Sequence, residues 1–377
     1  MRENIRSMEE AFKSRYGNFQ IAYSFKTNYL KRICEIVKES GGMAEVVSPL
    51  EREYARAIGY DPDQIIYNGV IQDPEGKFDL AAAGGMVNVD NLHEYDEISR
   101  IAAEKLKGTG KKIRIGVRLN LQIGQSFKSR FGVDVNSLEF YELMNRIHSD
   151  QYIDLGGFHC HIGSSRQQEF WGNKATQMIN LAKIYKVSYL DMGGGMFGPM
   201  EPGLSSQFNG YVGDFGYYAD VTAKLMKISF PDESVKLIVE PGTALVGNTM
   251  YVSARVTSIK NVDGQDYITV NVNSNNLGMI CECRKIPIEI FHCGKPQRSV
   301  KNATIAGNTC LEFDYILKGF TGYIAEDDQI IFRNVGAYSI GTSRQFIAPR
   351  LEVMNERGEL LKLEETWGTI FNPYMEC

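Results

Sequence analysis

The chain reads as an α/β protein: a (β/α)8 TIM barrel over residues 1–243, then a C-terminal antiparallel β domain over residues 244–377. Three observations predict this. Strand-like and helix-like apolar patterns alternate strictly up to Gly242, the texture of repeated βα units. The strand candidates in that stretch number eight, the count of a closed barrel, whereas an open doubly wound sheet fits about five or six better. After Gly242 strand patterns follow one another without helices between them, which marks a separate β domain.

In order, Glu3–Tyr16 is a helical segment with Ile5, Met8 and Phe12 on one face. Strand candidates follow at Gln20–Lys26, Met43–Ser48, Ile65–Val70, Met86–Asp90, Ile113–Asn120, Leu155–Gly163, Tyr189–Gly195 and Lys236–Gly242. Helical patterns at Tyr29–Ser40, Leu50–Ile58, Asn91–Leu106, Ser137–His148 and Gln168–Tyr185 separate them. The second domain offers strands at Thr249–Lys260, Asp266–Val272, Pro287–Phe291, Val300–Ala306, Gln329–Val335, Gln345–Met354 and Glu359–Leu363.

The composition is that of an ordinary globular chain, 43% hydrophobic and 23% charged with net charge −5. That charge leaves no basic footprint for nucleic acid and no reason to expect an anionic membrane as partner. The N-terminus leads into an amphipathic helix, not a signal peptide, and no apolar run approaches a span. Seven cysteines without scaffold spacing favour a reducing compartment, so a cytoplasmic protein is expected.

Active sites of such barrels sit at the C-terminal strand ends. Lys26 stands there after a strand in which Ile21, Tyr23 and Phe25 alternate. Partial desolvation would lower its pKa and free the amine for a Schiff base, although a surface-snorkelling lysine fits the same stretch. The other strand ends carry Glu45, Asn68-Gly69, Arg118, His159-Cys160-His161-Ile162-Gly163-Ser164, Asp191-Met192-Gly193-Gly194-Gly195 and Glu240-Pro241-Gly242. Consecutive glycines expose backbone N–H groups, and loops after the seventh and eighth strands often bind phosphate. A lysine plus a phosphate cradle points to pyridoxal 5′-phosphate, with Glu240 able to keep the pyridine nitrogen protonated. Of the two histidines, His161 is the one expected on the ring face, and His159 the packed one.

The motifs Tyr23-Ser-Phe-Lys26-Thr-Asn28, His159-Cys-His161-Ile-Gly-Ser164, Asp191-Met-Gly-Gly-Gly195, Glu240-Pro-Gly242, Cys310-Leu-Glu-Phe-Asp314 and Gly336-Ala-Tyr338 resemble those of fold-type III pyridoxal-phosphate decarboxylases. That group includes diaminopimelate, ornithine/arginine and carboxynorspermidine decarboxylases. The resemblance runs nearly end to end and keeps the motif order. It implies an alanine-racemase-like barrel, a β domain, and a homodimer with shared active sites. It implies Lys26 as the cofactor's lysine, His161 on the ring, and Glu240 at the ring nitrogen. Ser164, Gly193, Gly194, Gly195, Gly242 and Tyr338 then belong near the phosphate, with Glu45 and Arg118 among the cofactor residues. Glu45 stands where the family often has an aspartate. Cys310 matches the cysteine that reaches in from the partner subunit to protonate the product, a step within a thiol's reach. Leu311, Glu312 and Asp314 are the expected substrate residues.

Departures from the family pattern bear on substrate. Thr243 stands in place of an arginine after Glu-Pro-Gly, which removes a bidentate anion ligand. Leu311 replaces an acid that reads a distal ammonium, unless Glu312 takes over. Asn271–Gly278 replaces an Asp-Gly-Gly segment, and an Arg-Pro pair is missing, with Arg284 a possible substitute. The chain opens on the helix before the first strand, so a strand that usually joins the β domain is expected to be short or absent. The expectation is therefore a pyridoxal-phosphate-dependent carboxy-lyase for an amino acid, free or bound to a carrier protein, whose distal end is neutral or conjugated. Alternatives are a racemase of the same barrel class, or a decarboxylase of a free diamino acid or polyamine precursor. Glu240 argues against the racemase. No metal is expected: the spacing of Cys281, Cys283, His292 and Cys293 is not that of a common zinc site, and alternating strand positions explain the first two.

Overall fold

A computed structural model of the chain describes residues 1–124, 128–163 and 166–375. Two compact units divide it: Met1–Lys26, Ile33–Gly198 and Gly210–Leu245 form the first, and Thr27–Arg32, Pro199–Asn209 and Val246–Cys377 the second.

The first unit is a closed parallel barrel. Its strands are β1 (Phe19–Ser24), β2 (Met43–Val46), β3 (Ile65–Tyr67), β4 (Met86–Val89), β5 (Ile113–Asn120), β6 (Ile153–His159), β7 (Tyr189–Asp191) and β8 (Lys236–Val239). Each pairs with the next, and β8 returns to β1 through Leu237 opposite Phe19. A two-residue strand, Val133–Asp134, adds to the end of β5. Inside the ring, Ala22, Met43, Ile66, Tyr189 and Ile238 pack as a buried cluster, the filled interior such barrels require.

The helices start where short polar side chains can cap them. Ser48, Asn91 and Ser137 accept the amides of Glu51, Glu94 and Phe140 at the starts of helices α3 (Pro49–Ala57), α5 (Leu92–Leu106) and α6 (Leu138–Ser149). The opening helix α1 (Arg2–Lys13) buries Ile5, Met8 and Phe12, as its periodicity predicts. Helix α2 (Lys31–Glu39) precedes β2, and α4 (Pro74–Ala82) precedes β4. The sequence pattern missed α4 because Gly76 and a fully buried Lys77 interrupt its apolar stripe. Helix α7 (Gln168–Tyr185) has the bounds its pattern predicts.

The second unit carries a six-stranded sheet. Its strands are β9 (Val252–Val262), β10 (Gln265–Val270), β11 (Ile288–Phe291), β12 (Arg298–Ala306), β13 (Tyr315–Ile324) and β14 (Gln329–Phe332), in the order β11-β14-β9-β10-β12-β13. Pairing is antiparallel except between β10 and β12, which run parallel. Val256, Ile268, Val270, Ile305, Ile316 and Phe332 form its core. Sequence alternation missed β13, where Gly319 and Gly322 break the pattern. It also overextended Gln345–Met354, of which Val353–Met354 is strand, since Pro349 lacks the N–H a ladder needs. Among the described residues no helix is long and apolar enough to cross a membrane.

Candidate active site

Lys26 leaves β1 on one turn of 3-10 helix, Phe25–Thr27. Its Nζ lies 2.5 Å from Oε2 of Glu45 on the adjacent strand β2. The same oxygen accepts from Ser24 Oγ at 2.6 Å. The Glu45 side chain is 1% exposed and that of Lys26 30%. The pairing gives the Lys26 amine a partner, and gives Glu45 the position to take its proton.

Glu240 follows β8. Its Oε1 accepts from Asn68 Nδ2 at 2.5 Å and its Oε2 lies 3.2 Å from His159 Nε2. Burial opposes its charge, but His159 and Lys26 outweigh burial and hold the carboxyl well below the usual range. Asp191, within 4.8 Å of both Glu240 and His159, moves the other way: burial and the Glu240 charge raise it well above its ordinary value. The two carboxyls are thus pushed apart, Glu240 toward the charged form by His159 and Lys26 and Asp191 toward the neutral form by burial and the Glu240 charge.

His161 Nδ1 accepts the N–H of Gly194 at 2.9 Å. Burial, then the nearby Lys26 ammonium, push its pKa well below the ordinary value. That hydrogen bond assigns a neutral imidazole with its proton on Nε2.

The glycine loop is sterically demanded. Gly193 and Gly195 adopt φ of +62° and +86°, and a Cβ on Gly193, Gly194 or Gly195 would stand 2.6 or 2.7 Å from a backbone carbonyl oxygen. Two of the three amides expected to face a phosphate are occupied within the protein: Gly193 N–H donates to Asp191 Oδ1 and Gly194 N–H to His161. Gly195 N–H has no partner among the described residues. Trp171 Nε1 donates to Gly195 C=O at 3.3 Å and Lys174 Nζ to Met192 C=O at 2.6 Å. Burial lowers the Lys174 pKa to about 8. Gly242 precedes a short helical turn, Thr243–Val246. Arg118, at the end of β5, lies 3.5 Å from Asp90 and over the Phe131 ring. Ser164 lies outside the described residues.

Cys310, Leu311, Glu312, Asp314 and Tyr338 belong to the second unit. The Cys310 thiol is exposed, and so are Leu311 (49%) and Phe313 (85%). Asp314 is expected among the substrate residues. It is buried, and its carboxylate accepts from Ser274 N–H, Thr309 N–H and Thr309 Oγ1 at 2.7–3.0 Å. It shapes the loop. Tyr338 N–H donates to the carbonyl of Thr27, the residue after Lys26, at 2.8 Å, while Asn28 Nδ2 donates to Gly336 C=O at 2.7 Å. Cys281 and Cys283 sit on a helical turn, Ile280–Cys283, not on alternating strand positions. His292 pairs with Asp328 at 2.9 Å. Among the described residues the one group of histidine and acidic side chains within ligating reach is His159, Asp191 and Glu240.

Sequence reasoning did not assign roles to Asn68, Asn88 and Tyr189, which link Glu45 and Glu240 inside the barrel. A usable signal was present: Gly116 and Gly157 lie inside strands, where glycine marks close approach.

These groups fit pyridoxal phosphate. They comprise a partly exposed lysine amine with a proton acceptor beside it, a buried ionised carboxylate, a neutral imidazole, and a glycine cradle that any Cβ would fill. The pyridoxal-binding domain of pyridoxal-dependent decarboxylases matches residues 2–247. The diaminopimelate decarboxylase of Methanothermobacter thermautotrophicus is 28% identical over 98% of this chain and 88% of its own. That of Aquifex aeolicus is 26% identical over 99% and 90%. The crystal structure of diaminopimelate decarboxylase from M. jannaschii in complex with L-lysine superposes with a TM-score of 0.82 at 22% identity, over 98% of this chain and 89% of that one. The chain belongs to the pyridoxal-dependent decarboxylases and is a pyridoxal-phosphate-dependent carboxy-lyase acting on an amino acid.

Proposed function

We propose that this carboxy-lyase acts on an amino acid whose distal end is neutral or conjugated, free or tethered to a carrier protein, as a cytoplasmic homodimer with shared active sites. The observation that carries this reading is the fate of the acids around Cys310. Leu311 occupies the position of a cation-pairing acid, and the Asp314 carboxylate is taken up by Ser274 and Thr309. A distal ammonium then has only Glu312 in that loop to pair with.

Pyridoxal phosphate supplies an electron sink for the pair left behind when the α-carboxylate departs as carbon dioxide. Lys26 would hold it, and Glu45, hydrogen-bonded to the Lys26 amine, would accept the proton that the ammonium must lose first. Glu240, ionised, would pair with the ring nitrogen and keep it protonated. His161, neutral, would hold the ring face, where an imidazolium would oppose the pyridinium. Gly195 N–H, with Ser164 and Gly242, would serve the phosphate, while Gly193 and Gly194 shape the loop that presents it. Arg118, paired with Asp90, would be among the residues that hold the cofactor. Cys310 of a second copy delivers the final proton to the substrate carbon.

The second reading is decarboxylation of a free diamino diacid. It is favoured by the curated relatives, which are diaminopimelate decarboxylases along almost the whole chain. Carbon dioxide release from the loaded enzyme across free and conjugated amino acids separates the two. Fastest turnover of a distal-amine diacid defeats the first reading; fastest turnover of a neutral or conjugated member supports it.

A further inference from the structure

A chain of hydrogen bonds inside the barrel runs in one direction. Tyr189 Oη donates to Asn88 Oδ1 at 2.7 Å, and Asn88 Nδ2 donates to Asn68 Oδ1 at 2.7 Å. With its oxygen occupied, the Asn68 amide turns its NH2 toward two carboxylates: Glu240 Oε1 at 2.5 Å and Glu45 Oε1 at 3.3 Å. All five side chains are buried. Room for the chain is built into the strands. A Cβ on Gly116 would stand 2.0 Å from Asn88 Oδ1 and 2.1 Å from Tyr189 Oη, and one on Gly157 would stand 2.5 Å from the Tyr189 ring. A neutral amide is the side chain that can serve two acceptors without adding charge. A lysine there would compete with Lys26, and a carboxylate would repel both neighbours.

We propose that Asn68 is a positioning residue that joins Glu45, the partner of Lys26, and Glu240 into one hydrogen-bonded unit. Tyr189 and Asn88 fix which way its amide points. The charge at the lysine end of the site and the charge at the ring-nitrogen end are thereby set together, by one amide. The inference rests on Lys26 and Glu240 flanking the cofactor as proposed above. The other ionisable groups facing this unit are Lys26, His159, His161, Asp191 and Arg118, with Lys174 and Cys160 on the Asp191 side.

The test is a pH titration of the absorption of the cofactor-loaded enzyme, between roughly pH 5.5 and 9.5, for wild type, Asn68→Asp and Tyr189→Phe. Asn68→Asp keeps the shape but replaces a donor by a third acid beside Glu45, the partner of Lys26, and Glu240. It should raise the titration midpoint by about one pH unit or more, tenfold in proton affinity. Tyr189→Phe, which frees the amide to turn, should move the midpoint by less. A general loosening of the barrel would lower melting temperature without moving the midpoint. Midpoints equal to wild type in both variants, with the cofactor still trapped on Lys26 by borohydride, would overturn the role of Asn68 and leave the proposed function standing. Absence of trapping in the wild type would instead overturn the reading beneath it. Should Asn68→Asp not fold, Tyr189→Phe decides alone, an unchanged midpoint counting against the proposal.

Discussion

Gly194 donates its amide N–H to Nδ1 of His161 at 2.9 Å, tying the loop after β7 to the imidazole after β6. A Cβ on Gly194 would stand 2.6 Å from the Glu240 carbonyl oxygen and 3.1 Å from His161 Cε1. Gly194→Ala should therefore destabilise the apoprotein by about 1–3 kcal/mol and weaken pyridoxal phosphate binding. Thermal melting and a cofactor titration check both, and wild-type values in each would contradict the steric reading.

His161 carries a pH signature. Its folded pKa is lowered, chiefly by burial, from an ordinary 6.5. Below that pH the unfolded chain binds a proton that the folded chain refuses, so stability falls as pH drops. His161→Gln should flatten the slope of apoprotein melting temperature below about pH 6.5. An unaltered slope would assign the titration to other groups.

Lys174 is buried over the Trp171 ring, and burial lowers its pKa from 10.5 to about 8. Below pH 8 the folded protein bears the whole cost of charging it, roughly 3 kcal/mol at 1.4 kcal/mol per unit. Between there and 10.5 that cost fades, because the unfolded chain then holds a proton the folded chain has lost. Lys174→Met should thus raise the melting temperature most at pH 7, offset in part by the lost bond to Met192, and raise it less near pH 9.5. A gain that grows with pH would reverse the sign.

Asp314 and Glu312 should separate cleanly. Asp314→Ala leaves the Ser274 and Thr309 donors without their acceptor, at about 1–3 kcal/mol, while borohydride trapping on Lys26 persists. Glu312→Gln should leave melting unchanged. A raised KM for a cationic substrate in Glu312→Gln would favour the diamino-acid reading, whereas an unchanged KM for the best substrate supports the neutral or conjugated one.

Lys26→Ala should abolish trapping and turnover, and Cys310→Ala should slow or misdirect protonation. If each site draws Lys26 from one protomer and Cys310 from the other, mixing the two variants through dissociation and reassociation should restore about a quarter of wild-type turnover. No recovery, with mixed dimers demonstrated, would place both residues in one chain.

Much of the barrel was legible. The Ile5, Met8 and Phe12 stripe and the helical patterns Asn91–Leu106 and Ser137–His148 are local signals, read within a few residues of one another, and the helices they announce are there. Where local signals conflict with the fold, reading failed: Lys77 occupies an apolar position of α4 because Glu94, across the chain, neutralises it, and no pattern in Pro74–Ala82 can contain that partner. The site behaved alike. Residue types at strand ends pointed to the cofactor, but the Ser274 N–H that holds the Asp314 carboxylate lies 40 residues away, beyond any local pattern.

What the sequence by itself determined is the alternation that closes into a barrel, the family motifs, and the collection of lysine, histidine, glycine and glutamate at one set of strand ends. Only the tertiary structure decided which groups meet: Lys26 with Glu45, Asn68 with Glu240 across 172 residues, and Asp191 with Glu240 and His159. The reason is physical. Periodicity and capping arise from neighbours along the chain, whereas hydrogen-bond partners and buried charge depend on which strands the closed ring brings side by side.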